Sequence, residues 1–147
     1  MKTIKEKEIF PVNAQTIWDV ISDPTDSSWV PTVEEISLDG DVRSFSMEGM
    51  GELKEKILKI DHDNKIFQYS AIQTPAPIEH HLATIQISPL DNDNCEFSWT
   101  TEIEPEIFAE GIHQGMLISL KELKKIFPWW QAFRMHFLFK KPLNKPI

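Results

Sequence analysis

At 147 residues the chain fits one domain and can bury a full core without metal or disulfide staples. Its 41% hydrophobic and 26% charged residues are ordinary for a folded, water-borne protein, and the single cysteine, Cys95, excludes an intramolecular disulfide or a thiolate zinc cluster. Residues 1–127 hold 11 basic against 23 acidic groups, while 128–147 hold four basic and no acidic ones, so the body repels phosphate backbones and no nucleic acid is expected as partner.

The first residues carry no apolar signal core, and no run approaches the roughly 18 apolar residues of a membrane span, which leads to a cytoplasmic expectation. Thr3 to Phe10 reads as an opening strand. Pro11-Val12-Asn13 turns the chain, and Asn13 is a good N-cap for a helix through Ser22 whose buried side is Ile17, Trp18, Val20 and Ile21. Asp23-Pro24 stops that helix, because a residue before proline avoids helical angles. Thr25 to Pro31 is expected to form a second short helix anchored by Trp29.

Six runs then alternate with clusters of turn formers. They are Val33–Leu38, Val42–Glu48, Glu52–Ile60, Lys65–Thr74, Ile78–Ser88 and Cys95–Glu104, and they predict hairpin after hairpin. Odd positions collect Phe45, Met47, Leu53, Ile57, Phe67, Tyr69, Ala71, Ala83, Ile85, Ile87, Phe97, Trp99 and Ile103. Alternate side chains point to opposite faces, so this set should line one buried, concave face unless a bulge intervenes. Leu58, Ile60, Ile66, Ile72 and Leu82 break the pattern and predict an apolar row on the outer face. From Glu106 to Phe127, Phe108, Ile112, Met116, Leu120, Leu123 and Phe127 recur every three or four residues, one stripe of a long helix.

The sequence Pro11-Val-Asn-Ala-Gln-Thr-Ile-Trp18-Asp-Val-Ile-Ser-Asp23, then Trp29-Val-Pro31, Val42-Arg43, Glu55-Lys-Ile-Leu with Asp61, Tyr69-Ser, Pro75-Ala-Pro77, Ala83-Thr-Ile-Gln-Ile87 and Cys95-Glu-Phe-Ser-Trp99 resembles the START-like (SRPBCC) helix-grip superfamily. The branch it is most similar to is that of the polyketide cyclase/dehydrase and lipid-transport-like proteins. The resemblance covers residues 1–127 and implies an α+β fold: a seven-stranded curved antiparallel sheet wrapped around a long C-terminal helix, with two short helices between strands 1 and 2. It also implies a cavity between sheet and helix for a small, mostly apolar molecule, and no shared catalytic set. Fold alone does not name the function.

Arg43 and Glu55 share the odd parity, and a loop centred on Gly49 sets them opposite each other on the inner face. Charges facing an apolar interior must be paired or wetted, so the two form either a polar anchor, Arg43 gripping a ligand carboxylate or enolate oxygen and Glu55 orienting it, or a structural ion pair near the cavity mouth. Cyclase chemistry would need a proton donor beside them, and Tyr69, His81 and Thr101 are the inward candidates. Trp99 and Tyr69 serve a core or, in a fold with a cavity, a ligand wall. Gly111 and Gly115 weaken the long helix by about 1 kcal/mol each against alanine. They leave room for a ligand, permit close packing, or mark an exposed turn.

His80 and His81 are adjacent in a strand and point oppositely; even with Glu79 they lack a third ligand, so no metal and no other cofactor is expected. His62 and His113 read as solvated. No nucleophile elbow or phosphate-binding glycine loop is present. The expected role is therefore binding or transport of a small hydrophobic, lipid-like or polyketide-like molecule, with an aromatase/cyclase as the alternative. A third reading makes 128–147, a basic aromatic C-terminal extension, an interaction module. It would cover the outer apolar row or form a homodimer surface; membrane contact is disfavoured by the acidic body.

Overall fold

The computed structural model describes residues 1–128. The covering, dimer and membrane readings of the tail concern 129–147 and lie outside the described residues. The chain runs β1 (Lys2–Phe10), α1 (Ala14–Ile21), β2 (Val33–Asp39), β3 (Val42–Met47), β4 (Gly51–Asp61), β5 (Ile66–Gln73), β6 (His80–Pro89), β7 (Cys95–Glu104), a 3₁₀ turn (Glu106–Phe108) and α2 (Ala109–Ile126). One antiparallel sheet has the order β1-β7-β6-β5-β4-β3-β2, a meander whose last strand returns beside the first. Both helices share the concave side, α1 against β6 and α2 against β1.

Local chemistry explains the boundaries. Asn13 caps α1, its side chain accepting a hydrogen bond from the Gln15 N–H at 2.8 Å. The second helix expected between Thr25 and Pro31 does not form. The Asp23 carboxylate accepts from the Thr25 N–H and hydroxyl, and the Asp26 carboxylate accepts from the Ser28 N–H. These side chains compete for the donors a helix would use, and the segment becomes successive turns that still deliver Trp29 to the core. At the β3–β4 hairpin Gly49 adopts φ +83°, a left-handed angle that glycine accepts without strain.

Strict alternation holds on β7, where Cys95, Phe97, Trp99, Thr101 and Ile103 are all buried and the residues between them half exposed. It fails twice further out. Ile57 pairs with Tyr69 but Lys59 pairs with Gln68, so Leu58 is an extra residue; Ile60 then sits opposite Phe67 and on the concave face. Likewise Glu55 pairs with Ala71 and Lys54 with Gln73, leaving Ile72 extra. The outer apolar row is thus not a row. Leu58 and Ile72 are bulge residues, 46% and 54% exposed, Ile60 faces inward, and only Ile66 and Leu82 lie regularly on the outer face.

The long helix is shorter than its pattern, because Glu106–Phe108 winds as a 3₁₀ turn. Its buried side is Ala109, Met116, Ser119, Leu120 and Leu123, close to the expected stripe, with Phe108 and Ile112 half-buried. Two contacts fasten it to β1: a hydrogen bond between His113 Nε2 and Glu6 at 2.6 Å and an ion pair from Lys124 to Glu8 at 2.7 Å. His113 is therefore a tether and not merely a solvated surface group.

Candidate functional site

The hairpin register brings Arg43 of β3 directly opposite Glu55 of β4, and Glu55 opposite Ala71 of β5. Arg43 Nε donates to Glu55 Oε1 at 2.8 Å, with both side chains 12% exposed. A guanidinium nitrogen also donates to the Pro24 carbonyl at 3.3 Å, tying the turns after α1 to the sheet. The guanidinium carbon stands 4.7 Å from the Tyr69 ring centre and 5.3 Å from that of Phe67, a cation–π seat from two residues of one strand face. Burial raises the Glu55 carboxyl above the ordinary carboxylate range, and Arg43 only partly offsets this.

Tyr69 follows two residues after Phe67 and is itself buried. Burial first, and then the Glu55 charge, push its phenol well above the usual range, so it stays a proton donor at neutral pH. Trp99 stands beside it. The indole ring packs on Trp29, centroids 5.3 Å apart, and edge-on to Phe97 at 6.0 Å. Trp99 Nε1 is the one sealed side-chain polar atom among the described residues that has no hydrogen-bond partner. It lies near the Tyr69 hydroxyl and draws that phenol slightly down, without reaching the geometry of a hydrogen bond. Such orphans in native interiors call for a water, a ligand atom or another specific cause.

His81 has a structural duty. Pairing between β5 and β6 stops at Tyr69–Ala83, although β5 runs on to Gln73 and β6 begins at His80. In the gap, His81 Nδ1 accepts the Ala71 backbone N–H at 2.9 Å, and the Ser70 hydroxyl donates to the His81 carbonyl. Burial, with a smaller push from His80, lowers the His81 pKa to about 4, so the ring is neutral at pH 7 and carries its proton on Nε2. His80 points to the other face and meets Glu102 at 3.0 Å. Among the described residues no group of three His, Cys, Asp or Glu could hold a metal ion.

Five of the expected site residues therefore gather on the concave face: Arg43, Glu55, Tyr69, His81 and Trp99. Thr101 is buried against α2, its hydroxyl 3.5 Å from the Met116 sulfur, and belongs to the packing. Gly111 and Gly115 are exposed, on the helix flank opposite His113 and Lys124, and a Cβ at either would have no neighbour within 4 Å. Close packing is thereby excluded as their reason. Sequence reasoning missed Phe67 and Trp29 as walls of the site. For Phe67 the signal was present, two residues from Tyr69 on one face; for Trp29 it was not, since an expected helix gave no aim.

Two of the best-formed concavities among the described residues lie away from the middle of α2. One, of about 320 Å³, lies where β5 and β6 part, lined by Leu58, Ile72, Ile78, Leu82, Lys56 and His81 among others. The other, of about 540 Å³, lies between the end of β1 and the end of α2, at Phe10, Lys124, Phe127 and Pro128. Trp29 against Trp99, and Tyr69 beneath Arg43, occupy part of the inner space.

A curved antiparallel meander gripping a C-terminal helix, with an ion pair and aromatic walls on its concave face, defines a helix-grip protein. The chain belongs to the polyketide cyclase / dehydrase and lipid transport family, whose pattern matches residues 1–125. No curated protein sequence is matched. Among solved structures, XoxI from Bacillus cereus is 20% identical over 86% of this chain and 96% of its own, with a TM-score of 0.80. An uncharacterised protein from Bacillus thuringiensis is 18% identical over 86% and 98%, at 0.78. Truncated norcoclaurine synthase from Thalictrum flavum is 21% identical over 83% and 92%, at 0.64. At these identities the likeness concerns the fold.

Proposed function

We propose that the chain binds a small hydrophobic, lipid-like or polyketide-like molecule over the concave face, between α2 and strands β3 to β5. The carrying observation is the sealed, unpartnered Trp99 N–H near the hydroxyl of Tyr69, on whose ring the buried Arg43–Glu55 pair rests, polar groups kept where an apolar core would be more stable. The family description supports the same class of guest. Phe45, Met47 and Ile57 offer half-buried apolar area around the pair. Trp29, carried on turns rather than a helix, is the wall that yields to admit the guest. Affinity then comes from apolar area at about 25 cal/mol per Å², and orientation from the polar end.

Native mass spectrometry of the purified protein, followed by solvent extraction, tests this. A retained small molecule of matching mass in both is the expected result. Added long-chain or aromatic probes that leave the tryptophan emission of the protein unchanged would overturn the reading.

The family description also supports a cyclase, for which the observation in favour is Tyr69, a buried phenol held protonated beside Arg43. In that reading Arg43 stabilises an enolate and Tyr69 delivers the proton. His81 is committed to the Ala71 amide through Nδ1 and serves position rather than proton transfer. A turnover that survives Tyr69→Phe unchanged would remove this assignment.

A further inference from the structure

The polar end of the site is rich in donors yet carries no net charge. Arg43 is a cation with five N–H donors, of which one meets Glu55 and one the Pro24 carbonyl. Glu55 is the sole carboxylate among the gathered side chains, and Arg43 has already engaged it. Trp99 contributes an N–H with no acceptor, and Tyr69 a hydroxyl held in its protonated form. His81, the remaining titratable neighbour, is neutral and has spent its acceptor nitrogen on a backbone amide. One buried donor, the Trp99 N–H, is therefore left without an acceptor, while the charges cancel.

We infer that the site reads a neutral hydrogen-bond acceptor on its ligand, a ketone or related carbonyl, and discriminates against a carboxylate. The inference rests on the proposed binding function and narrows it. A ligand carbonyl accepts the spare Trp99 N–H and asks for no compensating charge. A ligand carboxylate brings a second negative charge near Glu55 in a mostly buried region, where like charges are strongly disfavoured. Arg43 cannot neutralise both carboxylates. The raised affinity of Glu55 for its proton agrees, since the environment already resists one negative charge.

Three probes of one shape separate the alternatives: 2-acetylnaphthalene, 2-naphthoate and naphthalene, titrated against the whole protein at pH 8 by calorimetry and tryptophan quenching. Acetylnaphthalene should bind tightest, and naphthoate roughly tenfold or more weaker than it, as expected for one unfavourable buried charge contact. Trp99→Phe should cut the advantage of acetylnaphthalene over naphthalene by roughly five- to tenfold, with Trp29 and Trp18 still reporting. Glu55→Gln leaves the guanidinium uncompensated, and naphthoate should become the preferred probe. Naphthoate binding the parent protein as tightly as the ketone would overturn the inference while leaving the binding function standing. Failure of all three probes to bind would sink both. The parent ranking needs no variant, so a poorly folding substitution does not blunt the test.

Discussion

The two ends of the sheet are built to different standards. Along β7 every second side chain is buried, and β6 and β1 supply Ile85, Ile87, Ile4 and Phe10 to the same core beneath α1 and α2. Along β3 no residue is fully buried, and on β2 only Val33 is. Val33 and Leu53 fall outside the main core cluster. The covered end supplies stability, and the open end carries half-buried apolar and charged groups. Arg43, Glu55 and Tyr69 stand at the border between them. A site needs rigid support on one side and room on the other, and on the proposed binding function the strands of one sheet would divide those tasks.

A matched pair of truncations tests this division of the sheet. Phe97→Ala, at the covered end, should cost about 3–5 kcal/mol in denaturant unfolding, whereas Phe45→Ala at the open end should cost only about 1 kcal/mol. Equal losses would mean that the open end carries core load after all. Next in size is the border. Arg43→Ala strands the Glu55 carboxyl in a mostly buried place and should cost about 3 kcal/mol. Arg43→Met with Glu55→Gln should recover most of it, because no unpaired charge remains. If the double variant is no better than the single one, the guanidinium acts through its packing on Phe67 and Tyr69 instead.

Proton linkage sharpens the border further. The unfolded His81 takes up a proton below about pH 6.5, whereas the folded one resists until about pH 4, so stability falls as pH drops through that window. Glu55 acts with the opposite sign: its folded carboxyl holds a proton to higher pH than the unfolded one, so stability from this group is lost as pH rises through its folded value. His81→Gln should flatten the acid-side loss in a series of unfolding curves from pH 7 to pH 4. An unchanged slope would return the imidazole to the solvent. The smallest effect belongs to Gly115→Ala, where a methyl meets open space and should stabilise the helix by about 0.5–1 kcal/mol. If the same change weakens probe binding, the vacancy on that flank belongs to the guest.

What the sequence revealed follows from how local the signal is. Alternation on Cys95–Glu104 and the stripe from Phe108 to Phe127 are periodic, and both survive in the structure. The Arg43–Glu55 contact was legible because one loop centred on Gly49 sets the register of a single hairpin. The bulges at Leu58 and Ile72 were not, since an extra residue in a strand is decided by its neighbours and leaves no local mark. Trp29 was misplaced for a related reason. Asp23 and Asp26 can cap or break equally well, and only the finished fold shows that they hold turns. The room expected under α2 depended on where those large rings came to rest, which no periodicity encodes.

The interrupted ladder between β5 and β6 carries a mechanical consequence. Four residue pairs join these strands, against ten between β6 and β7 and seven between β4 and β5. Shear applied to the bowl therefore collects along this seam, which divides the sheet into two panels. An imidazole standing in for a missing backbone carbonyl and the Ser70 hydroxyl on the His81 carbonyl are the stitches across it, so the compliance of the seam rests on two side chains.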